Sequence, residues 1–177
     1  RVSAGGGAAI RLHWQESLFE STNPWDKGHR DEVGGKLFTT IWSNQDGYGD
    51  RWITDGGMHR RLDTLWWRAG RYLELLVETA EAPLTIEALI LHETRYPLEP
   101  EGGFASADAG LNAAIPPMVR ALQMCAHETY QDTPFYEQLQ YVGDTRLECL
   151  LTYVLTRDDR LPRRALTLFD RSRLAGG

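Results

Sequence analysis

Residues 127–146 have the sequence HETYQDTPFYEQLQYVGDTR, and this stretch decides how the second half of the chain is interpreted. Four carboxylates and four aromatic rings fall within its 20 residues, ahead of an apolar helical pattern that starts at Leu147. Carboxylates transfer protons or bind hydroxyl groups, and aromatic faces offer a flat apolar surface on which a sugar ring can stack. The stretch therefore predicts a sugar-binding or sugar-cleaving site at the start of a helix.

Each acid in this stretch also has an ordinary structural interpretation. Glu137 and Asp144 are seven residues apart, or two helical turns, so a continuous helix would place both on one side. Gly143 favours a break, which makes Asp144 a candidate N-cap, and from position alone the cap is the favoured interpretation. Asp132 precedes Thr-Pro and could close an Asx turn, while Glu137 alone would be a solvated surface acid.

The composition is that of an ordinary globular protein, and it excludes several classes of function. The 177 residues are 42% hydrophobic and 25% charged, with a net charge of -6. An acidic chain lacks the basic surface that nucleic acid requires, and no apolar run approaches the ~18 residues of a membrane span. Neither nucleic acid nor a membrane is therefore expected as a partner.

The compartment and the redox state are only weakly indicated. The chain begins Arg-Val-Ser-Ala with no apolar signal core, which predicts a cut end and leaves the compartment open, with the cytoplasm slightly favoured. Cys125 and Cys149 fall on apolar helix faces and are interpreted as reduced, buried thiols, a disulfide between them being the alternative.

Metal binding has little support in the sequence. His127-Glu128 begins like the zinc motif His-Glu-x-x-His, but residue 131 is Gln, so the motif is not complete. The five histidines show no ligand spacing. No metal and no cofactor are therefore expected.

Residues 1–97 are predicted to form an antiparallel β-sandwich, because short apolar or alternating runs are separated by Gly, Asp and Asn turns. Residues 98–107, which contain Pro, Gly and Ser without periodicity, are predicted to be a linker. The candidate strands are Ala8–Gln15, Leu37–Trp42, Arg51–Thr54, Arg68–Glu78 and Leu84–Tyr96. The candidate turns between them are Gln45–Gly47 and Asp55–Gly57.

Residues 108–177 change to a 3.6-residue period and predict three helices, so the fold class is α+β, with strands first and helices after. The Pro116-Pro117 pair is predicted to open the first helix, because proline is best tolerated in a first turn. An Asp cap after Thr156 is predicted to start the third. Three helices are not expected to close a core alone, so their apolar faces require further partners. The apolar stripes are Met118, Leu122 and Cys125, then Leu147, Leu150, Leu151, Val154 and Leu155, then Leu161, Ala165, Leu168 and Phe169.

The run Asp-x4-Glu-x6-Asp, formed by Asp132, Glu137 and Asp144, resembles the signature of the bacterial α-L-rhamnosidases of glycoside hydrolase family 78. The similarity extends over the whole of HETYQDTPFYEQLQYVGDTR, although Thr133 stands where many members of the family have Cys. Looser similarity to the β-sandwich domain that precedes the catalytic barrel in this family covers three upstream segments, Trp14–Phe19, Lys27–Asp31 and Trp66–Tyr72.

The resemblance implies an antiparallel β-sandwich followed by the first helices of an (α/α)6 barrel, with residues 108–177 as an incomplete catalytic barrel. It implies that Glu137 is the general acid, which protonates the leaving oxygen, and that Asp132 and Asp144 bind hydroxyls of the rhamnose. The supporting substrate-binding candidates are Tyr136, Tyr141 and Arg146.

The family inverts the anomeric centre by using a second carboxylate to activate water. That base lies in later helices of the family's barrel, so the chain is expected to be a fragment that holds the acid but not the base. The expected partners are a rhamnose-containing glycoside or polysaccharide and the remainder of the catalytic barrel. A non-catalytic carbohydrate-binding or structural β-sandwich module with a helical tail is the alternative, since it too fits a chain without a base.

Overall fold

Two units make up the chain, an all-β unit over Arg1–His92 and a helical unit over Glu93–Gly177. The computed structural model describes residues 1–41 and 49–174. Strands followed by helices is the order that the periodicity predicts, and the α+β class is confirmed. The finer limits of 1–97, 98–107 and 108–177 stay predictions.

The β unit contains two antiparallel sheets within the described residues. One sheet has the strand order β3-β2-β4 and the other pairs β1 with β5. An apolar cleft is lined by residues of both sheets, among them Val2, Ile10 and Ile86. The strands are β1 (Val2–Ala4), β2 (Ala9–Gln15), β3 (Asp50–Ile53), β4 (Tyr72–Glu78) and β5 (Leu84–Ile86).

The central strand β2 pairs along its full length with β4, from Ala9 opposite Glu78 to Gln15 opposite Tyr72. Ile10 and His13 of β2 are buried, and burial lowers the pKa of the His13 imidazole to about 4 because the charged form loses its hydration. The predicted strands Ala8–Gln15 and Arg51–Thr54 are thereby confirmed to within one residue at each end.

Two of the predicted strands are wrong in the described part of the chain. Leu37 makes a single bridge to Phe19 and no strand follows it up to Ile41, while Trp42 and the predicted turn at Gln45–Gly47 lie outside the described residues. The fifth strand ends at Ile86 and not at Tyr96.

The fifth strand is short because its partner β1 is only three residues long. The sequence analysis did not predict β1. After β1 the chain turns at Ala4 and Gly5, which both have φ near 60°. A Cβ on Gly5 would lie 2.7 Å from the Cβ of Leu84, so this turn combines a left-handed backbone with a close approach that only glycine allows. Beyond Ile86 the chain pairs with no strand of the described residues, and its apolar residues Leu89, Ile90 and Leu91 are exposed.

The helical unit contains α1 (Ala109–Cys125), α2 (Val142–Leu155) and α3 (Arg160–Arg171). No helix of the described residues has the length and apolarity that crossing a lipid bilayer would demand. The buried core of this unit includes Leu98, so part of the predicted linker packs against the helices. The other members of this core are Leu122, Ala126, Tyr130, Leu155, Leu161 and Ala165.

The predicted start of α1 at Pro117 is wrong, since both prolines lie inside the helix. Asp108 is the N-cap, and its side chain accepts hydrogen bonds from the amides of Gly110 and Leu111. Each proline removes an N–H from the helix and leaves a carbonyl four residues earlier without its partner. Those carbonyls, on Asn112 and Ala113, belong to exposed residues, so water can satisfy them.

The starts of α2 and α3 also correct the sequence analysis. The helix α2 begins at Val142, ahead of the expected break, with Tyr141 at the N-cap position and no side-chain cap bond, so Asp144 is not an N-cap. At the start of α3, Asp159 occupies the N-cap position but makes no side-chain cap bond. The carboxylate of the preceding residue, Asp158, accepts from the amide of Arg160 instead.

The apolar stripe predicted for α2 is largely exposed. Of its members only Leu155 is buried, while Leu147, Leu150, Leu151 and Val154 are exposed. The side that α2 buries also carries two threonines, Thr145 and Thr152.

Leu161 and Leu166 on α3 provide a matched test of this core. Leu161 is 2% exposed and Leu166 is 67% exposed, so the same truncation on the same helix removes buried surface in one case only. We expect Leu161→Ala to lower the free energy of unfolding by about 2–4 kcal/mol and Leu166→Ala by less than about 1 kcal/mol. Denaturant unfolding followed by helical circular dichroism measures both; equal losses would contradict the assigned core.

Candidate active site

The segment that joins α1 to α2 is anchored by Tyr130, which is fully buried. Its hydroxyl hydrogen-bonds to Oγ1 of Thr152 on α2, and Thr152 donates its own hydrogen to the carbonyl oxygen of Glu148. Tyr130 is therefore the donor in the first bond. Next to it, the amide of Gln131 donates to the carbonyl oxygen of Cys125 at the end of α1. These bonds attach the first part of the segment to both α1 and α2 and fix where the following residues begin.

Asp132 closes a loop with Leu139. The Asp132 amide donates to the Leu139 carbonyl, and Oδ1 of Asp132 accepts from the Leu139 amide, both at 2.9 Å. The bond to a residue seven positions further on replaces the Asx turn that the sequence left open. One carboxylate oxygen of Asp132 therefore has a structural role, and the other, Oδ2, is not used by this bond.

The turn inside this loop has a strained backbone at Gln138. Its φ is 54°, in the left-handed region that costs a non-glycine residue about 1 kcal/mol. The Gln138 side chain donates to the carbonyl of Pro134 and stabilises the reversal. Strain of this kind is maintained where the surrounding contacts fix a conformation, as they often do at functional sites.

Glu137 lies exposed on this loop, next to Tyr141. Its amide donates to Oγ1 of Thr133, and its Oε2 accepts from the hydroxyl of Tyr141. The pKa of Tyr141 is raised above its ordinary value by that hydrogen bond, by burial, and by the charges of Glu137, Asp132 and Asp144. The Tyr141 hydroxyl therefore lies within the field of all three carboxylates that the motif singles out.

Asp144 is exposed in the first turn of α2. A carboxylate in this position is stabilised by the positive end of the helix dipole without capping the helix. Since its side chain makes no cap bond, Asp144 can accept hydrogen bonds from a ligand.

The two remaining candidates, Tyr136 and Arg146, have weaker positions. Tyr136 is exposed and packs edge-to-face on Phe135, with ring centroids 4.8 Å apart. Arg146 is exposed on α2. Glu137 accepts a hydrogen bond from the Tyr141 hydroxyl, and the charges of Asp132 and Asp144 contribute to the raised pKa of Tyr141. The roles of all these candidates, with those of Tyr136 and Arg146, stay predictions.

Glu148 belongs to the same group of carboxylates and was missed by the sequence analysis. It lies four residues after Asp144, one helical turn further along α2, and its Oε2 is buried without a hydrogen-bond partner among the described residues. Burial raises the pKa of Glu148 to about 8, and the charges of Asp144 and Asp132 contribute to the rise. The sequence signal is the i,i+4 spacing to Asp144, which places both acids on one side of α2.

Cys125, at the end of α1, also faces these carboxylates. Burial raises the pKa of its thiol to about 11, and Glu148, Asp132 and Asp144 add to the effect. Burial and then the charge of Glu148 raise the pKa of Cys149. Both cysteines are free thiols, so neither supplies a disulfide.

No cation offsets this negative charge within the described residues. Asp132, Glu137, Asp144 and Glu148 take part in none of the ion pairs there. In the same part of the chain, no group of three or more His, Cys, Asp or Glu side chains could hold a metal ion. The site is therefore a set of hydrogen-bond acceptors suited to a ligand that carries several hydroxyl groups.

The chain is thus an α+β protein with exposed carboxylates just before α2 and in its first turn. No protein-family model matches the chain, and no curated protein matches it. Among solved structures it is similar to the GH78 family rhamnosidase of Bacillus sp. GL1, with a TM-score of 0.66 and 25% identity. The match covers 94% of this chain and 16% of that one. The resemblance to glycoside hydrolase family 78 is confirmed.

The pH dependence of stability tests the environment of Glu148. Because its folded-state pKa of about 8 lies above the ordinary 4.5, the folded state keeps a proton that the unfolded state releases, and stability falls as pH rises from about 4.5 to about 8. We expect Glu148→Gln to remove this loss, so that the variant gains at least about 1 kcal/mol on the native protein between pH 5 and 8.5.

Denaturant unfolding across this pH range measures the effect. Glu128→Gln, which changes an exposed acid of the same segment, is the matched control and should follow the native protein. Parallel curves for the native protein and Glu148→Gln would show that Glu148 is hydrated and charged.

Proposed function

We propose that the chain provides the acid half of an inverting glycoside hydrolase that removes terminal α-L-rhamnose from rhamnosides, with Glu137 as the general acid. The observation that carries this proposal is the hydrogen bond from the Tyr141 hydroxyl to exposed Glu137, on a tyrosine whose pKa is raised also by the charges of Asp132 and Asp144. The fold similarity to a GH78 family rhamnosidase over 94% of the chain supports it.

Glu137 has the access that a general acid needs. It is exposed, so a leaving oxygen can approach it, and the Tyr141 hydroxyl donates a hydrogen bond to its Oε2. Since a hydroxyl that donates to one oxygen leaves the other free, Oε1 is the atom that would carry the proton to the leaving group.

Asp132 and Asp144 are proposed to bind hydroxyls of the sugar. Carboxylate acceptors give hydrogen bonds of about 1.5–3 kcal/mol, and neither residue has an ion pair in the described part of the chain. Oδ2 of Asp132 and the exposed carboxylate of Asp144 are the acceptors that this role requires.

An inverting reaction also needs a base that activates water on the opposite face of the sugar. Glu148 is unsuited to this role, because a carboxyl that keeps its proton up to pH about 8 accepts none from water near neutrality. We propose that the base comes from outside these residues, in keeping with the 16% of the similar rhamnosidase that the chain spans.

Substitution of Glu137 tests the acid. In the complete protein, Glu137→Gln should lower kcat on a rhamnoside with an alkyl leaving group by about 10²–10⁴-fold, because that oxygen must be protonated as the bond breaks. An aryl rhamnoside whose phenolate leaves unaided should lose less than about tenfold. Glu128→Gln is the control and should change neither rate. Equal losses on both substrates would assign Glu137 to binding or folding, and rhamnose binding without turnover in the native protein would favour a non-catalytic module.

A pair of aspartates separates sugar binding from helix capping. Asp144→Ala should raise KM for rhamnosides about tenfold or more while leaving Tm almost unchanged, because Asp144 makes no cap bond. Asp108→Ala should do the opposite, costing about 1 kcal/mol of stability with an unchanged KM, because Asp108 caps α1. Steady-state kinetics and thermal melts of both variants distinguish the two roles. A lower Tm with an unchanged KM for Asp144→Ala would assign Asp144 to helix capping instead of sugar binding.

A further inference from the structure

We propose that Tyr141 is a positioning residue for the general acid. Its hydroxyl holds the carboxyl group of Glu137 in one orientation and stabilises the charge that remains there after the proton has been transferred. The inference rests on the proposed function, since it concerns the carboxyl group assigned as the acid. A hydroxyl has one hydrogen to donate, so a tyrosine that donates to Glu137 is not a donor to the sugar.

The position of Tyr141 is fixed by the start of α2. Tyr141 is the last residue before this helix, and its carbonyl oxygen accepts from the amide of Thr145, a buried residue, at 3.0 Å. Glu137 precedes Tyr141 by four residues, and the Tyr141 hydroxyl donates to its Oε2. The donor to the acid therefore comes from a residue whose backbone is bonded into the helix.

Contacts within the loop hold the backbone of Glu137 but not its side chain. The Glu137 amide donates to Oγ1 of Thr133 at 3.3 Å, and the amide of Leu139 donates to Oδ1 of Asp132 at 2.9 Å. The side chain is exposed, and an exposed glutamate exchanges among several rotamers. Within the described residues, the hydrogen bond to its carboxyl group comes from Tyr141. Tyr141 therefore favours one rotamer, and such positioning lowers the entropy lost on reaching the transition state.

The same hydrogen bond becomes stronger as the reaction proceeds. In the proposed step the proton on Oε1 of Glu137 passes to the leaving oxygen, which takes both electrons of the glycosidic bond. Water forms the new bond to the anomeric carbon and gives its proton to the base outside these residues. Glu137 is left as a carboxylate, to which a hydroxyl donates more strongly than to a neutral carboxyl. An interaction that is stronger in the transition state than in the ground state raises kcat.

Tyr141 remains a donor throughout this step. The hydrogen bond to Glu137, followed by burial and the charges of Glu137, Asp132 and Asp144, raises the pKa of Tyr141 above its ordinary value. Its hydroxyl therefore keeps its proton at the pH values at which a carboxyl group acts as an acid.

The test compares two rhamnosides in the complete protein, one with an alkyl leaving group and one with an aryl leaving group. Tyr141→Phe keeps the ring and removes the hydroxyl. Its kcat should fall about tenfold on the alkyl rhamnoside and less than about twofold on the aryl rhamnoside, with KM within about twofold of native on both. Tyr153→Phe is the control, since it removes the hydroxyl of an exposed tyrosine on α2, and it should change neither constant.

The double variant Glu137→Gln/Tyr141→Phe provides a readout that a structural role would not change. A hydroxyl that acts through the acid has little to stabilise once the acid is removed. The double variant should therefore match Glu137→Gln within about twofold on the alkyl rhamnoside. The ratio of the alkyl to the aryl kcat does not depend on the fraction of protein that is folded, so partial unfolding of a variant leaves this comparison valid.

A KM that rises with an unchanged kcat in Tyr141→Phe would assign its hydroxyl to the sugar. Equal losses of kcat on both rhamnosides would assign it to folding, and losses that multiply in the double variant would separate it from Glu137. Each of these results, or native kinetics in Tyr141→Phe, overturns this inference and leaves the proposed function intact. A native protein that hydrolyses neither rhamnoside, or a Glu137→Gln variant without a larger loss on the alkyl rhamnoside, overturns the proposed function and this inference with it.

Discussion

The buried hydrogen bond between Tyr130 and Thr152 is the contact on which the site depends. It ties the segment after α1 to the last turn of α2, and through Thr152 it reaches the carbonyl of Glu148. A buried hydroxyl without a partner would cost about 1–3 kcal/mol, so the pairing holds the segment in one position against the helix. Since Asp132 follows Tyr130 by two residues and Asp144 lies two turns before Thr152, this bond fixes both sides of the carboxylate group.

The neighbouring carboxylates make the site electronegative. Burial raises the pKa of both Glu148 and Cys125, and neighbouring acids that include Asp132 and Asp144 raise it further. An anionic substrate would add to this repulsion, whereas a neutral ligand with several hydroxyls supplies the donors that the carboxylates lack. Glu148 keeps its proton at neutral pH, because burial, and then the charge of Asp144, raises its pKa to about 8.

The sequence predicted those elements whose formation depends on nearby residues alone. The strands around Ile10 and the helices around Leu122 and Leu161 follow from periodicity, and the grouping of the motif acids follows from their spacing. The failures have a different cause. The length of β5 is set by the short partner β1, and Pro116 is tolerated in α1 because the carbonyl it leaves unpaired is exposed. Neither fact is visible in the residues concerned, since each depends on what lies next to them in space.

The spacing of the motif has a structural explanation. Asp132 and Leu139 close a loop, and Glu137 lies within it, four residues before Tyr141, so that the tyrosine hydroxyl reaches the Glu137 carboxylate. Tyr141 is the last residue before α2, and Asp144 falls in the first turn. Separations of five and seven residues therefore place Glu137 inside the loop that Asp132 closes and Asp144 in the first turn of the helix that follows. A motif of this kind specifies a local shape as well as three side chains, so a 20-residue stretch can carry a resemblance to a rhamnosidase whose overall identity to the chain is only 25%.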